Sequence, residues 1–248
     1  MFLFILPLHL TGSSYFTYGS LASKVQSYSF ATYWSLDYRR NYIMCGYDNY
    51  LEDCGTVNLR QHLLSVGYAR EIVKAVGIRA VGFYIFDSAS NSSKILSNRL
   101  LYGYSPIFSL GYVVASYSKQ LLGSSIFYTF HQFNPDVRIQ LFNKVWLLTG
   151  LCYGNAEGEG YLSLLTGVSV QVLPYLGLEF KDMSGERFYS VDDRLLTVNN
   201  RPNIENSNLS VQLNYRVIDK FKFSLSWIFN SFSSYSINYY VIGVEGMM

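Results

Sequence analysis

The sequence predicts an all-β protein: a closed, up-and-down antiparallel transmembrane β-barrel of about fourteen strands, within a range of about twelve to sixteen. Three observations predict it. Apolar and polar residues alternate with period two over runs of about nine to twelve residues, the span of a tilted strand through a bilayer. Tight turns bearing Lys or Arg alternate with longer polar connections. The polar face holds mostly Ser, Asn, Gln, Gly and Thr instead of the charge that a solvated sandwich face carries.

The stretch NLSVQLNYRVIDKFKFSLSWIF (208–229) shows the pattern most clearly. Leu209, Val211, Leu213, Tyr215 and Val217 alternate with Asn208, Ser210, Gln212, Asn214 and Arg216. After a turn at 218–220 the order resumes with Phe221, Phe223, Leu225, Trp227 and Phe229. Ten large apolar groups on one face of a hairpin are favourable in lipid, at about 1.5–3 kcal/mol each, and unfavourable in water.

The same grammar runs along the chain of 248 residues. Residues 1–14 read as a secretory leader lacking its basic n-region: MFLFILPLHL supplies an apolar core, and Gly12 and Ser14 fit a small-x-small cleavage pattern. Residues 15–248 read as one barrel. Strands are expected near 14–21, 27–36, 40–47, 57–70, 75–86, 107–117, 121–131, 137–142, 145–153, 161–172, 175–181, 207–217, 221–231 and 235–246, with 95–103 an optional extension. Tight turns are expected within 36–43, 66–78, 115–123, 140–147, 170–178 and 214–223. The longer connections are expected near 22–26, 48–56, 87–106, 132–136, 154–160, 182–206 and 232–234. The most apolar run, AVGIRAVGFYIF (75–86), is too short for a spanning helix and carries Arg79.

Charge divides by type of connection. Twelve of the 17 acidic residues fall in the long connections, against six bases. The tight turns hold seven bases against Asp37, Glu71 and Asp219. An open sheet of this size would expose long apolar edges, and backbone groups cannot go unpaired in hydrocarbon, so closure is expected. An even strand count puts both termini at the tight-turn end and the long acidic loops outside.

Composition narrows the function classes. A net charge of +2 with no basic cluster gives no nucleic-acid footprint. No Cys or His spacing suggests a metal, and no cofactor motif is present. Cys45 and Cys54 flank one polar segment and either pair as a disulfide or stay free; Cys152 reads as a packed thiol. Neither His62 nor His131 has a carboxylate obviously placed to orient it, and no GxSxG element occurs, so no enzyme is expected. GNAEGEG (154–160) lacks the P-loop Lys-Ser/Thr and the spaced ligands of an EF-hand, and SVDDRLL (190–196) reads as solvated loop charge.

The short Lys-bearing turns, aromatic girdles and long loops resemble the bacterial outer-membrane barrel superclass over nearly the whole chain. LLSVGYAREIVKAVGIRAVGFYIF (63–86), together with fourteen strands, resembles fatty-acid-transporter and PorV-type barrels. The superclass resemblance implies the outer membrane of a Gram-negative-type bacterium, with membrane lipid and lipopolysaccharide as partners. The second implies an apolar ligand.

Charge facing lipid costs about 2–4 kcal/mol for Arg or Lys at mid-depth. Arg60, Arg79, Arg138, Lys181, Arg216 and Lys222 are therefore expected to point inward, opposed mainly by Glu179 and accompanied by Gln212 and Asn214. The leading expectation is a passive channel for small hydrophilic solutes with a mildly basic lumen. Two alternatives stand beside it: a non-conducting structural barrel that docks an envelope protein through its acidic loops, and a transporter of apolar ligands.

Overall fold

A computed structural model describes residues 9–21, 25–38, 40–53, 58–121, 124–156, 158–187, 190–192, 197–199 and 204–247. Sixteen strands run along the described chain: β1 (His9–Leu21), β2 (Val25–Tyr38), β3 (Asn41–Asp53), β4 (Asn58–Val73), β5 (Val76–Asp87), β6 (Ser92–Tyr102), β7 (Ile107–Leu121), β8 (Ser124–Leu141), β9 (Val145–Ala156), β10 (Glu159–Leu173), β11 (Leu176–Arg187), β12 (Ser190–Asp192), β13 (Thr197–Asn199), β14 (Glu205–Ile218), β15 (Phe221–Phe232) and β16 (Ser236–Met247). Fourteen form a closed antiparallel barrel in which each strand pairs with its neighbours in sequence, and β1 closes on β16. The remaining two, β12 and β13, make a small hairpin of their own between β11 and β14.

Closure leaves no edge, so each strand's backbone has a partner on both sides. The tight-turn end carries the β2–β3, β4–β5, β6–β7, β8–β9, β10–β11 and β14–β15 links together with the start of β1 and the end of β16. In these turns Arg40 and Ala75 each take a φ of 69°, in the left-handed region that tight hairpins demand of their central residues.

Around the barrel, outward positions are large, apolar and exposed. Leu64, Val66 and Tyr68 on β4, Leu100 on β6, Leu110 on β7, Leu164 on β10, Phe180 on β11, Leu213 on β14, Leu225 on β15 and Ile242 on β16 are all of this kind. No helix occurs among the described residues.

The strand count matches the sequence-based expectation, but its composition differs at three places. Residues 132–136, expected as a connection, lie inside β8, which joins the two strands expected at 121–131 and 137–142. Residues 92–102, expected inside a long connection, form β6. The link between β7 and β8 lies at the long-loop end, although 115–123 was expected to hold a tight turn. One extra strand and one merged pair cancel in the total.

The barrel also begins earlier than expected. Residues 1–8 lie outside the described set, but Gly12, Ser13 and Ser14 sit within β1. They pair with Trp34, Tyr33 and Thr32 on one side and Gly246, Glu245 and Val244 on the other. These residues, expected as a cleavage site, belong to the strand that closes the cylinder.

Candidate functional site in the barrel interior

Side chains alternate across a strand, so the exposed outward set fixes which residues face inward. Of the expected lumen residues, Arg79, Arg138, Glu179, Lys181, Gln212, Asn214, Arg216 and Lys222 fall on the inward parity of their strands. Arg60 does not. It shares the outward face of β4 with Leu64, Val66 and Tyr68 and is exposed, a correction to its expected inward direction. The reason is its height. At the long-loop end of β4 an outward base need not sit at mid-depth, so the cost that was expected to turn it inward does not apply.

The inward set contains more acid than the sequence suggested. Asp48, Glu52, Asp136 and Glu205, expected in connections, lie in strands and face the interior alongside Glu179 and Glu245. Most inward bases have a partner among them. Arg187 Nη2 lies 2.9 Å from Glu205 Oε1, Lys222 Nζ lies 3.1 Å from Glu245 Oε2, and Lys181 pairs with Glu179. Arg99 Nη1 lies 2.5 Å from Asp136 Oδ2, and both groups bond the Ser109 hydroxyl, at 2.6 Å each. A net-basic interior is therefore not what the inward residues amount to.

These pairs occupy two different environments. The Arg99–Asp136 side chains are 5% exposed each, and Arg187 and Glu205 are 6% and 3%. Lys181 and Glu179 are 26% and 28% exposed, and Lys222 and Glu245 are 37% and 36%. Water thus reaches the inward face of β11, β15 and β16. On β4 to β9 it is largely excluded by a packed cluster of Leu63, Val81, Phe83, Ile85, Ile95, Val113, Ala115, Phe130 and Ala156, with Tyr33, Met44 and Tyr161 against it.

Glycines let several inward rings lie flat on the wall. The Tyr33 ring covers Gly46 on the next strand, and a Cβ at that glycine would overlap it. Tyr15 covers Gly243 in the same way.

The β8–β9 pairing runs through Phe133↔Tyr153 and resumes at Asp136↔Gly150. Pro135, which has no N–H to donate, sits in that gap. A groove of about 470 Å³ opens there on the outer wall, lined by Leu100, Phe108, Leu110, Pro135, Leu151 and Leu164, with Asp136 behind it.

Cys45 is a free, exposed thiol in mid-strand on β3. Cys54 lies outside the described residues. A Cys45–Cys54 disulfide therefore falls outside what the described residues contain. Cys152 is buried, as expected of a packed thiol. The two described strand histidines that the sequence raised as catalytic candidates bond tyrosine: His62 Nδ1 to the Tyr47 hydroxyl at 2.8 Å and His131 Nδ1 to that of Tyr112 at 2.7 Å. Both point outward, away from the lumen. Among the described residues no group of three His, Cys, Asp or Glu is placed to hold a metal.

Three features escaped sequence analysis: the Arg99–Asp136–Ser109 network, the Arg187–Glu205 pair and the apolar cluster. Each joins strands distant in sequence or lies in a segment expected to be a loop. The available signal was Arg99 and Asp136 flanked by strand-like runs, which their Ser- and Asn-rich neighbours obscured.

No family model matches the chain, and no curated protein matches it in sequence. Solved structures do match in shape. The CymD monoaromatic hydrocarbon channel is similar at a TM-score of 0.62 and 7% identity, covering 97% of this chain and 87% of that one. The Ralstonia pickettii toluene transporter TbuX matches at 0.60 and 7%, covering 97% and 88%. The NanC porin matches at 0.52 and 13%, covering 95% and 98%. With fourteen closed antiparallel strands, an apolar outer surface and an inward face bearing charge, the chain has the fold of the bacterial outer-membrane β-barrels.

Proposed function

We propose that the protein is a passive outer-membrane channel for small hydrophilic solutes, with its tight turns on the periplasmic side and its long loops outside the cell. One observation carries the reading: inward ion pairs on β11, β15 and β16 are between a quarter and two fifths exposed, inside a wall whose outer face is apolar. Ser13, Thr17, Ser210, Gln212, Asn214 and Ser226 continue that half-wetted track on neighbouring strands. Hydroxyl and amide groups exchange hydrogen bonds with a passing solute at little cost, and the opposed charges of each pair hold water without fixing one sign of ion.

Selectivity between small cations and anions is accordingly weak. Planar-bilayer recording of the purified protein tests the proposal. Stepwise ohmic conductance with little preference between potassium and chloride is expected. Absence of steps would overturn it and favour the docking alternative, and a strong preference for one ion would overturn the balanced lining.

A second reading has its own support. The apolar cluster and the outer-wall groove suit an apolar solute, and two of the similar structures are a hydrocarbon channel and a toluene transporter. Saturable binding of toluene by the detergent-solubilised barrel, with no ionic conductance, would favour this reading over the first.

A further inference from the structure

The wall formed by β16, β1, β2 and β3 carries three inward tyrosines, each laid against a glycine of an adjoining strand. Tyr239 on β16 covers Gly19 on β1, Tyr15 on β1 covers Gly243 on β16, and Tyr33 on β2 covers Gly46 on β3. Their chain neighbours Tyr240, Phe16 and Trp34 are exposed on the outer face, so the three rings belong to the inner one. A Cβ at any of the three glycines would overlap the ring beside it. The missing side chain lets each ring lean along the wall, and each stays half-buried, with part of its surface left to the lumen.

Together the rings make an oblique strip. Tyr15 and Tyr33 touch, with ring centres 5.9 Å apart at 60°. Measured along β1, the strip runs from Ser13, opposite Tyr33, to Gly19, opposite Tyr239, about 20 Å of strand. Hydroxyls interleave with it. Thr17 lies between Tyr15 and Gly19, and Ser13 lies beyond Tyr15 toward the tight turns. Ser226 stands on the adjoining β15, across from Val241, with Gln212 beside it. Charge keeps to the margins: Asp48 is across from Ala31, and Glu245, across from Ser13, is held by Lys222.

We propose that this strip binds the ring of a neutral saccharide, laying the C–H face of a pyranose on Tyr15 and Tyr239 while the sugar hydroxyls exchange hydrogen bonds with Ser13, Thr17 and Ser226. The face of an aromatic ring is electron-rich and attracts weakly positive C–H groups, and a hydroxyl both donates and accepts. A hydrocarbon would leave the hydroxyls unused, and a small ion would leave the rings unused. The proposal names a solute class for the channel and rests on the wetted wall of that reading. Binding is read without a current, so the bilayer recording can fail while this stands, and the reverse.

Saturation-transfer NMR of the full chain in a sugar-free detergent tests it, with maltotriose, sorbitol and toluene as separate probes. Maltotriose should bind saturably and at least about fivefold more tightly than sorbitol, which has the hydroxyls but no ring to stack. The Tyr15→Leu/Tyr239→Leu double variant should weaken maltotriose at least about fivefold. Tyr15→Phe/Tyr239→Phe keeps the ring faces and should stay within about twofold of the wild type. Trp146→Leu removes an inward ring from β9, far around the barrel from the strip, and should change nothing. Tyr15→Leu alone should lose about threefold and guards against misfolding of the double variant. Equal binding of sorbitol, an equal loss in Trp146→Leu, or tyrosine-dependent binding of toluene in place of maltotriose would overturn the proposal.

Discussion

The β14–β15 hairpin and the β7–β8 hairpin are built from similar residues, yet they divide them differently. In β14–β15 the outward set stays apolar from Tyr215 and Phe223 at the turn up to Leu209 and Phe229, and the inward set is polar at Ser210, Gln212, Asn214, Ser224, Ser226 and Asn230, with Ile228 the one apolar member between them. In β7–β8 the outward residues change from Phe108, Leu110, Phe133 and Ile139 near the tight turns to Ser116, Thr129 and His131 above, with the exposed Phe127 an exception, while the inward ones change from Ser109 and Asp136 to Ala115 and Phe130. One hairpin meets hydrocarbon along most of its length. The other meets hydrocarbon below and water above, and its upper half needs an interior of its own. Val113, Ala115 and Phe130 supply that interior, exposed by only 1%, 2% and 5%. A strand's face is thus set by height as well as by parity.

The largest effect should come from placing a charge in that packed interior. Val113→Asp buries a carboxylate among Val81, Ile95 and Phe130; the nearest inward base, Arg99, lies against Gly111 and is already paired with Asp136, so the cost is about 4 kcal/mol. Ser226→Asp, inward on the wetted side, should cost less than about 1 kcal/mol. Urea unfolding of both variants in lipid vesicles measures the gap. Equal losses would mean that the two walls do not differ.

Close behind stands Asp136→Asn. It leaves the Arg99 guanidinium buried without its carboxylate, which costs about 3–5 kcal/mol for a buried pair broken on one side. Refolding yield and urea midpoint should both fall. An unchanged midpoint would mean that water reaches Arg99 and that this sector is wetter than its packing indicates.

The same contrast explains what was legible in the sequence. Strands with one polarity throughout, such as β14 and β15, stand out by counting alone. Strand β8 was expected as two, because 132–136 reads as a polar connection; its apolar residues sit mostly at even positions up to Phe130, Phe127 apart, and at odd ones from Phe133 onward. A switch of phase looks like a break when the environment is assumed constant. Strand β6 was expected as loop because five of its eleven residues are Ser, Asn or Lys. Its inward Ser93 and Ser97 are nonetheless buried to 1% against neighbouring strands, which no local pattern shows. The lumen candidates were found by asking where charge is cheap. That rule sent Arg60 to the wrong face because it carried no information about height.

Height can be tested directly by introducing Arg on the outward face. Leu225→Arg on β15 lies within the apolar band and should cost about 2–4 kcal/mol in vesicles. Thr129→Arg on β8, outward beyond the reversal, should cost about 0–1 kcal/mol. Comparable penalties would place Thr129 in hydrocarbon and remove the boundary drawn across the β7–β8 wall.

The smallest expected effect is also the most discriminating for function. Lys222 and Glu245 face each other across β15 and β16 at 3.1 Å, and each is more than a third exposed. Solvent screening limits such a pair to less than about 1 kcal/mol, so Glu245→Gln should barely move the urea midpoint. It should still alter conduction. Removing one carboxylate beside Lys222 and Arg216 leaves inward positive charge unopposed near the tight-turn mouth, and a focused field attracts counter-ions. The chloride-to-potassium permeability ratio should rise two- to fourfold at low salt and return toward the wild-type value in 1 M salt, where the screening length is about 3 Å. Stability loss without a change in selectivity would mark the pair as a structural clasp away from the conduction path. Changed selectivity at unchanged stability would put the ions' route along the β11–β16 wall.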